Sequence, residues 1–186
     1  ELDKNIFIIM ILGLPCSGKK TLSKILKESI ELKYRAILNN KNQNSGEESD
    51  DDDDDDDDIV IVDNIENNMN RTELKNMISI LIQNKKSIII SGLFDTEYRR
   101  SQIINIAQKN EMPMLIVDIQ TTADLSKLLH RIQLQTSKTH ELIRKGDNVF
   151  YNYKKRRDKI EYEEDNIKYI KYPFIIKKRN EYEFRY

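Results

Sequence analysis

The sequence predicts an α/β protein: a parallel sheet with helices on both faces. Three observations predict it. Short apolar runs alternate with stretches of helical period along most of the chain. The runs are continuous rather than alternating apolar and polar, as expected of strands buried on both faces. A stretch with glycines at both ends, Gly13 to Gly18, sits between the first apolar run and the first helical stretch.

Taken in order, Ile6 to Leu12 is the first strand, and Leu22, Ile25, Leu26 and Ile30 recur at helical spacing after it. Residues 39–58 then interrupt the pattern, running from Asn-rich through Ser-Gly-Glu to nine consecutive aspartates, Asp50 to Asp58. Like charges at this density repel and cannot bury a core, so the segment is expected to be a disordered acidic surface insert. Ile59 to Val62 is the second strand, and Leu74, Met77, Ile78, Leu81 and Ile82 form the next helical stripe. Ile88 to Ile90 is the third strand, followed by a helix carrying Ile103, Ile104 and Ala107. Met114 to Ile119 is the fourth, followed by a helix with Leu125, Leu128, Leu129 and Ile132. Leu142 to Arg157 reads as a further helix and Tyr172 to Lys177 as the last strand. The expectation is a single three-layer αβα domain over 1–186, interrupted only by the insert.

Composition narrows the function classes. No apolar run approaches the roughly 20 residues of a membrane helix. No secretory pattern opens the chain, and the first residue is Glu1 rather than Met, which suggests a fragment of a longer protein. A single cysteine excludes an internal disulfide and a Cys-built zinc site, and two histidines, His130 and His140, argue against a His-based one. The net charge of −1 hides an asymmetry: residues 41–58 hold 11 acids and one base, leaving 30 basic and 21 acidic residues elsewhere, a net +9. A basic body favours anionic partners such as nucleotides and nucleic acid. An AT-rich genome would produce the same lysine-rich bias.

The most informative stretch is Gly13-Leu14-Pro15-Cys16-Ser17-Gly18-Lys19-Lys20-Thr21. It follows a strand and opens a helix, the context of a phosphate-binding loop in a P-loop NTPase-type fold. The glycines let the backbone curl so that N–H groups point inward at phosphate oxygens, and the helix adds its positive dipole end. Lys19 would reach the β- and γ-phosphates of ATP. The next residue in such loops is normally Ser or Thr, whose hydroxyl holds Mg²⁺. Here it is Lys20, and the nearest hydroxyl that could take a weak metal role is Thr21.

Asp63 ends the second strand, so it should face the crevice at the carboxyl ends of the strands. It is a candidate general base or outer-shell metal ligand, and a turn or helix-capping aspartate is the competing reading. Late in the chain come His130-Arg131, Arg144-Lys145 and Lys154-Lys155-Arg156-Arg157. Such side chains clamp a transferring phosphoryl group, and Arg131 is the candidate for that role. The later run suits a solvated helix face or nucleic-acid contact.

With these residues in view, the chain resembles the 5′-hydroxyl polynucleotide kinases. The resemblance rests on the Gly-Leu-Pro-Cys-Ser-Gly-Lys loop, on Ser87-Ile-Ile-Ile-Ser91, on Asp95-Thr-Glu-Tyr-Arg-Arg100 and on Ala107-Gln-Lys-Asn-Glu-Met-Pro-Met114. Val149-Phe-Tyr-Asn-Tyr-Lys-Lys155 and Tyr172-Pro-Phe174 are most similar to the kinase domain of bifunctional polynucleotide kinase/3′-phosphatases. That resemblance implies an ATP- and Mg²⁺-dependent kinase of DNA or RNA 5′ ends, nuclear, with a phosphatase domain upstream. It implies that Lys19 is the loop lysine, that Asp63 activates the 5′-hydroxyl and that Arg131 is the first lid arginine. Four positions depart from the family pattern: Lys20, Val62 before the aspartate, Ser91-Gly92-Leu93-Phe94 after the third strand, and Gln135 in the lid.

Three functions are therefore carried forward. The first is phosphorylation of 5′-hydroxyl ends in an end-processing repair protein. The second, motivated by the departures, is a degenerate P-loop domain that binds nucleotide or nucleic acid without transfer. The third is a kinase of a tRNA-linked or small-molecule hydroxyl, since tRNA-linked seryl kinases and an Elongator-associated family carry a similar loop.

Overall fold

In a computed structural model the described residues are 6–45, 58–63, 70–122, 124–129, 150, 153, 155 and 166–173. Eight elements are defined there: β1 (Ile8–Leu12), α1 (Lys19–Ser45), β2 (Ile59–Asp63), α2 (Arg71–Gln83), β3 (Ser87–Gly92), α3 (Glu97–Lys109), β4 (Met114–Gln120) and β5 (Ile167–Pro173). The strands form one sheet in the order β2-β3-β1-β4-β5, and every neighbouring pair is parallel. β1 is thus the central strand, and the loop that leaves it emerges in the middle of the sheet.

Side-chain alternation along the strands divides the core into two layers. Ile8, Met10, Leu12, Ile88, Ile90, Met114 and Ile116 face Leu74 and Ile78 of α2 and Ile103, Ile104 and Ala107 of α3. Ile9, Ile11, Ile89, Val117 and Ile119 face the other way, onto Leu22, Leu26 and Ile30 of α1. This is the expected three-layer αβα arrangement, and it explains why the central strands read as unbroken apolar runs.

Local signals position the helices. Asn70 caps α2: its side-chain oxygen accepts from the N–H groups of Thr72 and Glu73, both at 3.0 Å, while Glu73 accepts from the Asn70 N–H at 2.8 Å. This reciprocal pair satisfies donors that a helix start leaves open. Thr96 caps α3, accepting from the Arg99 N–H at 3.3 Å.

Several expectations are corrected. α1 runs 27 residues to Ser45, so residues 39–45 are helical and not loop. No glycine or proline occurs between Lys19 and Ser45, and nothing breaks the helix before Gly46. At about 1.5 Å per residue α1 is about 40 Å long, more than twice the span of the strands it covers. Its distal part therefore leaves the sheet, with Leu32 67% and Ile37 50% exposed. The rest of the acidic insert, residues 46–57, lies outside the described residues.

The last strand starts at Ile167, five residues before the expected Tyr172, and ends at Pro173. It is an edge strand, with Lys168 and Lys171 exposed beside buried Ile167 and half-buried Tyr169. Such a strand needs no continuous apolar run, which is why it escaped a search for one. In α2, Met77 is exposed although it shares the expected stripe with buried Leu74 and Ile78. Helical residues 124–129 fall where a helix was expected, with Ile132 outside the described residues. Of the expected helix at 142–157 only residues 150, 153 and 155 are described, and they are helical.

Ile90→Ala should lower the unfolding free energy by about 2–5 kcal/mol, because a fully buried side chain is lost from a close-packed layer. Leu32→Ala should change it by under about 0.5 kcal/mol. Urea unfolding of the two variants beside the parent reads both values as midpoint shifts.

Candidate phosphate-binding site

β1 ends at Leu12 and α1 begins at Lys19, and the six residues between them form a tight loop. Gly13 is required by close approach: a Cβ there would stand 2.7 Å from Ser17 Oγ and 3.2 Å from the Ile119 carbonyl oxygen on β4. Gly18 has φ 84°, and Cys16 has φ 58°, so two left-handed residues bend the chain back on itself. The Ser17 N–H donates to the Leu14 carbonyl at 3.2 Å and closes the turn. From outside, Ser126 Oγ donates to the Pro15 carbonyl and ties helical residues 124–129 to the loop. Leu14 is buried against Phe150 and Tyr153, with Leu93 packed beside them.

Lys19 turns inward and is 7% exposed. Its Nζ donates to the carbonyl oxygens of Gly13 at 3.0 Å and Leu14 at 2.6 Å. Burial pushes its ammonium down from 10.5 to about 8, opposed by the negative charges of Asp63 and Cys16. The Cys16 thiol is itself pushed up by burial, against the pull of Lys19. Ser17 is 1% exposed, and its hydroxyl has no hydrogen-bond partner among the described residues. An inward cation, an open hydroxyl and the N-terminal end of α1 together suit an anionic group such as a polyphosphate.

Asp63 closes β2, paired in register with Ser91 of β3, which is in turn paired with Ile11 of β1. It is half-buried, and its charge acts on Lys19 across the carboxyl edge of the sheet. The fold therefore brings Lys19 and Asp63 together, as their positions in the sequence suggested. Lys20 and Thr21 are both exposed on the first turn of α1. Arg131, Arg144, Lys145 and Gln135 lie outside the described residues, as do Lys154, Arg156 and Arg157 of the late basic run; Lys155 is exposed.

The residues do not fit the divalent cation that such loops usually hold. Lys20 stands at the hydroxyl position, and an ammonium has no lone pair to give a metal. Ser23 Oγ is committed to the Lys19 carbonyl at 2.9 Å. Among the described residues no three His, Cys, Asp or Glu side chains gather as a ligand set.

A second polar group, unmarked in the sequence reading, lies beside the loop. Asp95 is buried and accepts from Arg99 Nη1 at 2.6 Å. Arg100 is fully buried and donates to the Phe94 carbonyl at 3.0 Å. Asp118, at the end of β4 and opposite Leu12, accepts from Gln120 Nε2 at 2.6 Å and from the Tyr169 hydroxyl at 2.8 Å. Tyr153 is linked electrostatically to Asp95, Arg100 and Tyr169; burial first, then Asp95, pushes its phenol far above the usual range. The Asp95–Arg99 spacing of four was a legible signal; the Tyr169–Asp118 bond and the coupling of Tyr153 to Asp95 join residues distant in sequence.

These features define a P-loop kinase-like α/β domain. A family model described as "Chromatin associated protein KTI12" matches residues 7–172. The chain belongs to the KTI12 family. Among solved structures it is similar to Kti12 of Chaetomium thermophilum in complex with ADP-AlF3, at 11% identity over 88% of each chain with a TM-score of 0.58. It is also similar to a structure of the PezAT chromosomal toxin-antitoxin system of Streptococcus pneumoniae, at 14% identity over 84% of this chain and 63% of that one, TM-score 0.51. At these identities the likeness concerns the fold. No curated protein matches the chain. The P-loop class expected from the loop is thus supported, whereas nothing points to the polynucleotide kinases in particular.

The buried ammonium gives a signed pH dependence. With a folded value near 8 and an unfolded one near 10.5, the unfolded chain binds the extra proton between these values. Stability should rise with pH across that window, and the cost of burying the charge is fully present below it. Lys19→Met should therefore gain most on the parent at pH 7, with the gain shrinking from pH 8 to 10. Urea midpoints of both proteins at each pH check this.

Proposed function

We propose that this chain is a nucleotide-binding P-loop domain whose phosphoryl-transfer machinery is degenerate. The loop from Gly13 to Thr21, curled around buried Lys19 at the head of α1, carries the reading. The loop N–H groups and Lys19 hold the phosphates, and the helix dipole adds to the attraction. ATP, when bound, supplies a transferable γ-phosphoryl. Degeneracy is supported by Lys20 at the metal position and by Ser91 and Gly92 at the end of β3, where the resembled kinases carry a carboxylate.

The excess of basic over acidic residues outside the insert favours nucleic acid as the macromolecular partner. The family description, chromatin associated, supports a nuclear setting.

A second reading, phosphotransfer to a hydroxyl, is favoured by the charge coupling of Asp63 to Lys19. There Asp63 accepts the hydroxyl proton, while Lys19 and Arg131 offset charge on the moving phosphoryl. The acceptor is a nucleic-acid 5′-hydroxyl or, failing that, a tRNA-linked or small-molecule hydroxyl. In the first case an upstream phosphatase domain accompanies the kinase.

Calorimetric titration with ATP should show binding by the parent and at least a tenfold loss in Lys19→Ala. Labelled ATP with a 5′-hydroxyl oligonucleotide should give no transfer. Transfer that Asp63→Asn abolishes would replace the degenerate reading with the second one.

A further inference from the structure

The position after the buried lysine is where loops of this kind normally place a hydroxyl that holds magnesium. Lys20 occupies it, as the second residue of α1, exposed at the mouth of the loop. Among the described residues no hydroxyl stands in its place. Ser17 Oγ sits inside the loop against Gly13. Ser23 Oγ is fully buried and bonded to the Lys19 carbonyl at 2.9 Å. Thr21 lies one residue further on, turned about 100° around the helix from Lys20.

Among the described residues the carboxylates at this edge of the sheet do not gather into a ligand set. β3, the strand beside β1, ends in Ser91 and Gly92 in register with Ile11 and Leu12. Asp95, just beyond it, is held by Arg99 at 2.6 Å. Asp118 on the other side accepts from Gln120 and Tyr169. Asp63 ends β2, one strand removed from β1, and its charge acts on Lys19. A divalent cation at the phosphates would find no hydroxyl at this position and would meet the positive end of α1 and a second lysine next to Lys19 in the chain.

The same arrangement suits a polyphosphate without its metal. Two adjacent lysines and the helix end provide positive charge where magnesium otherwise screens the phosphate oxygens. We propose that Lys20 takes over the countercharge role of magnesium, so that the loop binds a metal-free nucleoside di- or triphosphate in preference to its magnesium complex. This rests on the nucleotide-binding reading above. It also gives a physical reason for weak or absent transfer, since the cation that neutralises developing charge is excluded.

The test is titration of ADP and ATP into the full chain, once with EDTA and once with millimolar magnesium. Parent, Lys20→Ser and Lys19→Ala are compared. The parent should bind at least as tightly with EDTA as with magnesium. Lys20→Ser should bind at least tenfold more tightly with magnesium than with EDTA, and Lys19→Ala should lose most binding in both. A parent that binds tenfold more tightly with magnesium overturns the proposal and leaves nucleotide binding standing. A metal-indifferent Lys20→Ser overturns the role given to Lys20. A parent that binds under neither condition overturns the nucleotide-binding reading, and this inference with it.

Discussion

The site depends on a charge placed where water cannot easily reach it. Lys19 is held inside its loop by the carbonyls of Gly13 and Leu14, and burial weakens its ammonium. A desolvated cation of this kind costs stability unless an anion arrives. The surrounding structure keeps it there: β4 backs Gly13 through Ile119, Ser126 holds the Pro15 carbonyl, and Phe150 and Tyr153 cover Leu14. The loop is thereby organised for phosphate before any ligand binds, which lowers the ordering cost of binding.

Around this charge the sheet sets up an unequal contest among acids. The charge of Asp63 acts on Lys19, as does that of Cys16, while Asp95 pairs with Arg99 and Asp118 accepts from Gln120 and Tyr169. Their network joins the start of α3, the ends of β4 and β5 and the helical segment at Tyr153. The consequence is a loop with a buried cation and, among the described residues, no gathered set of metal ligands, on a P-loop kinase-like fold. Membership of the KTI12 family agrees with such a cradle and leaves the acceptor open.

Where reading the sequence went astray, the cause was tertiary. β5 stands at the end of the sheet among the described residues and carries exposed lysines, so it lacks the apolar run that marks β1 and β3. α1 continued through an Asn-rich stretch because nothing in it breaks a helix, and low complexity was mistaken for loop. Met77 sits on the same helical stripe as Leu74 and Ile78 yet faces solvent, since the sheet below α2 covers only part of that stripe. The chain resembled polynucleotide kinases through elements that P-loop kinase folds have in common, which is why fold was legible and substrate was not.

By itself the sequence determined the alternation of strands and helices, the parallel sheet, the loop with its lysine and the carboxylate ending the second strand. All of these are written in periodicity and in residues a few positions apart. Only the tertiary structure decided that Lys19 is buried and bonded to its own loop, that the charge of Asp63 acts on it across β3, and that the Tyr169 hydroxyl donates to Asp118. The last two join residues tens of positions apart, and the first depends on the packing around the loop, which no local pattern encodes.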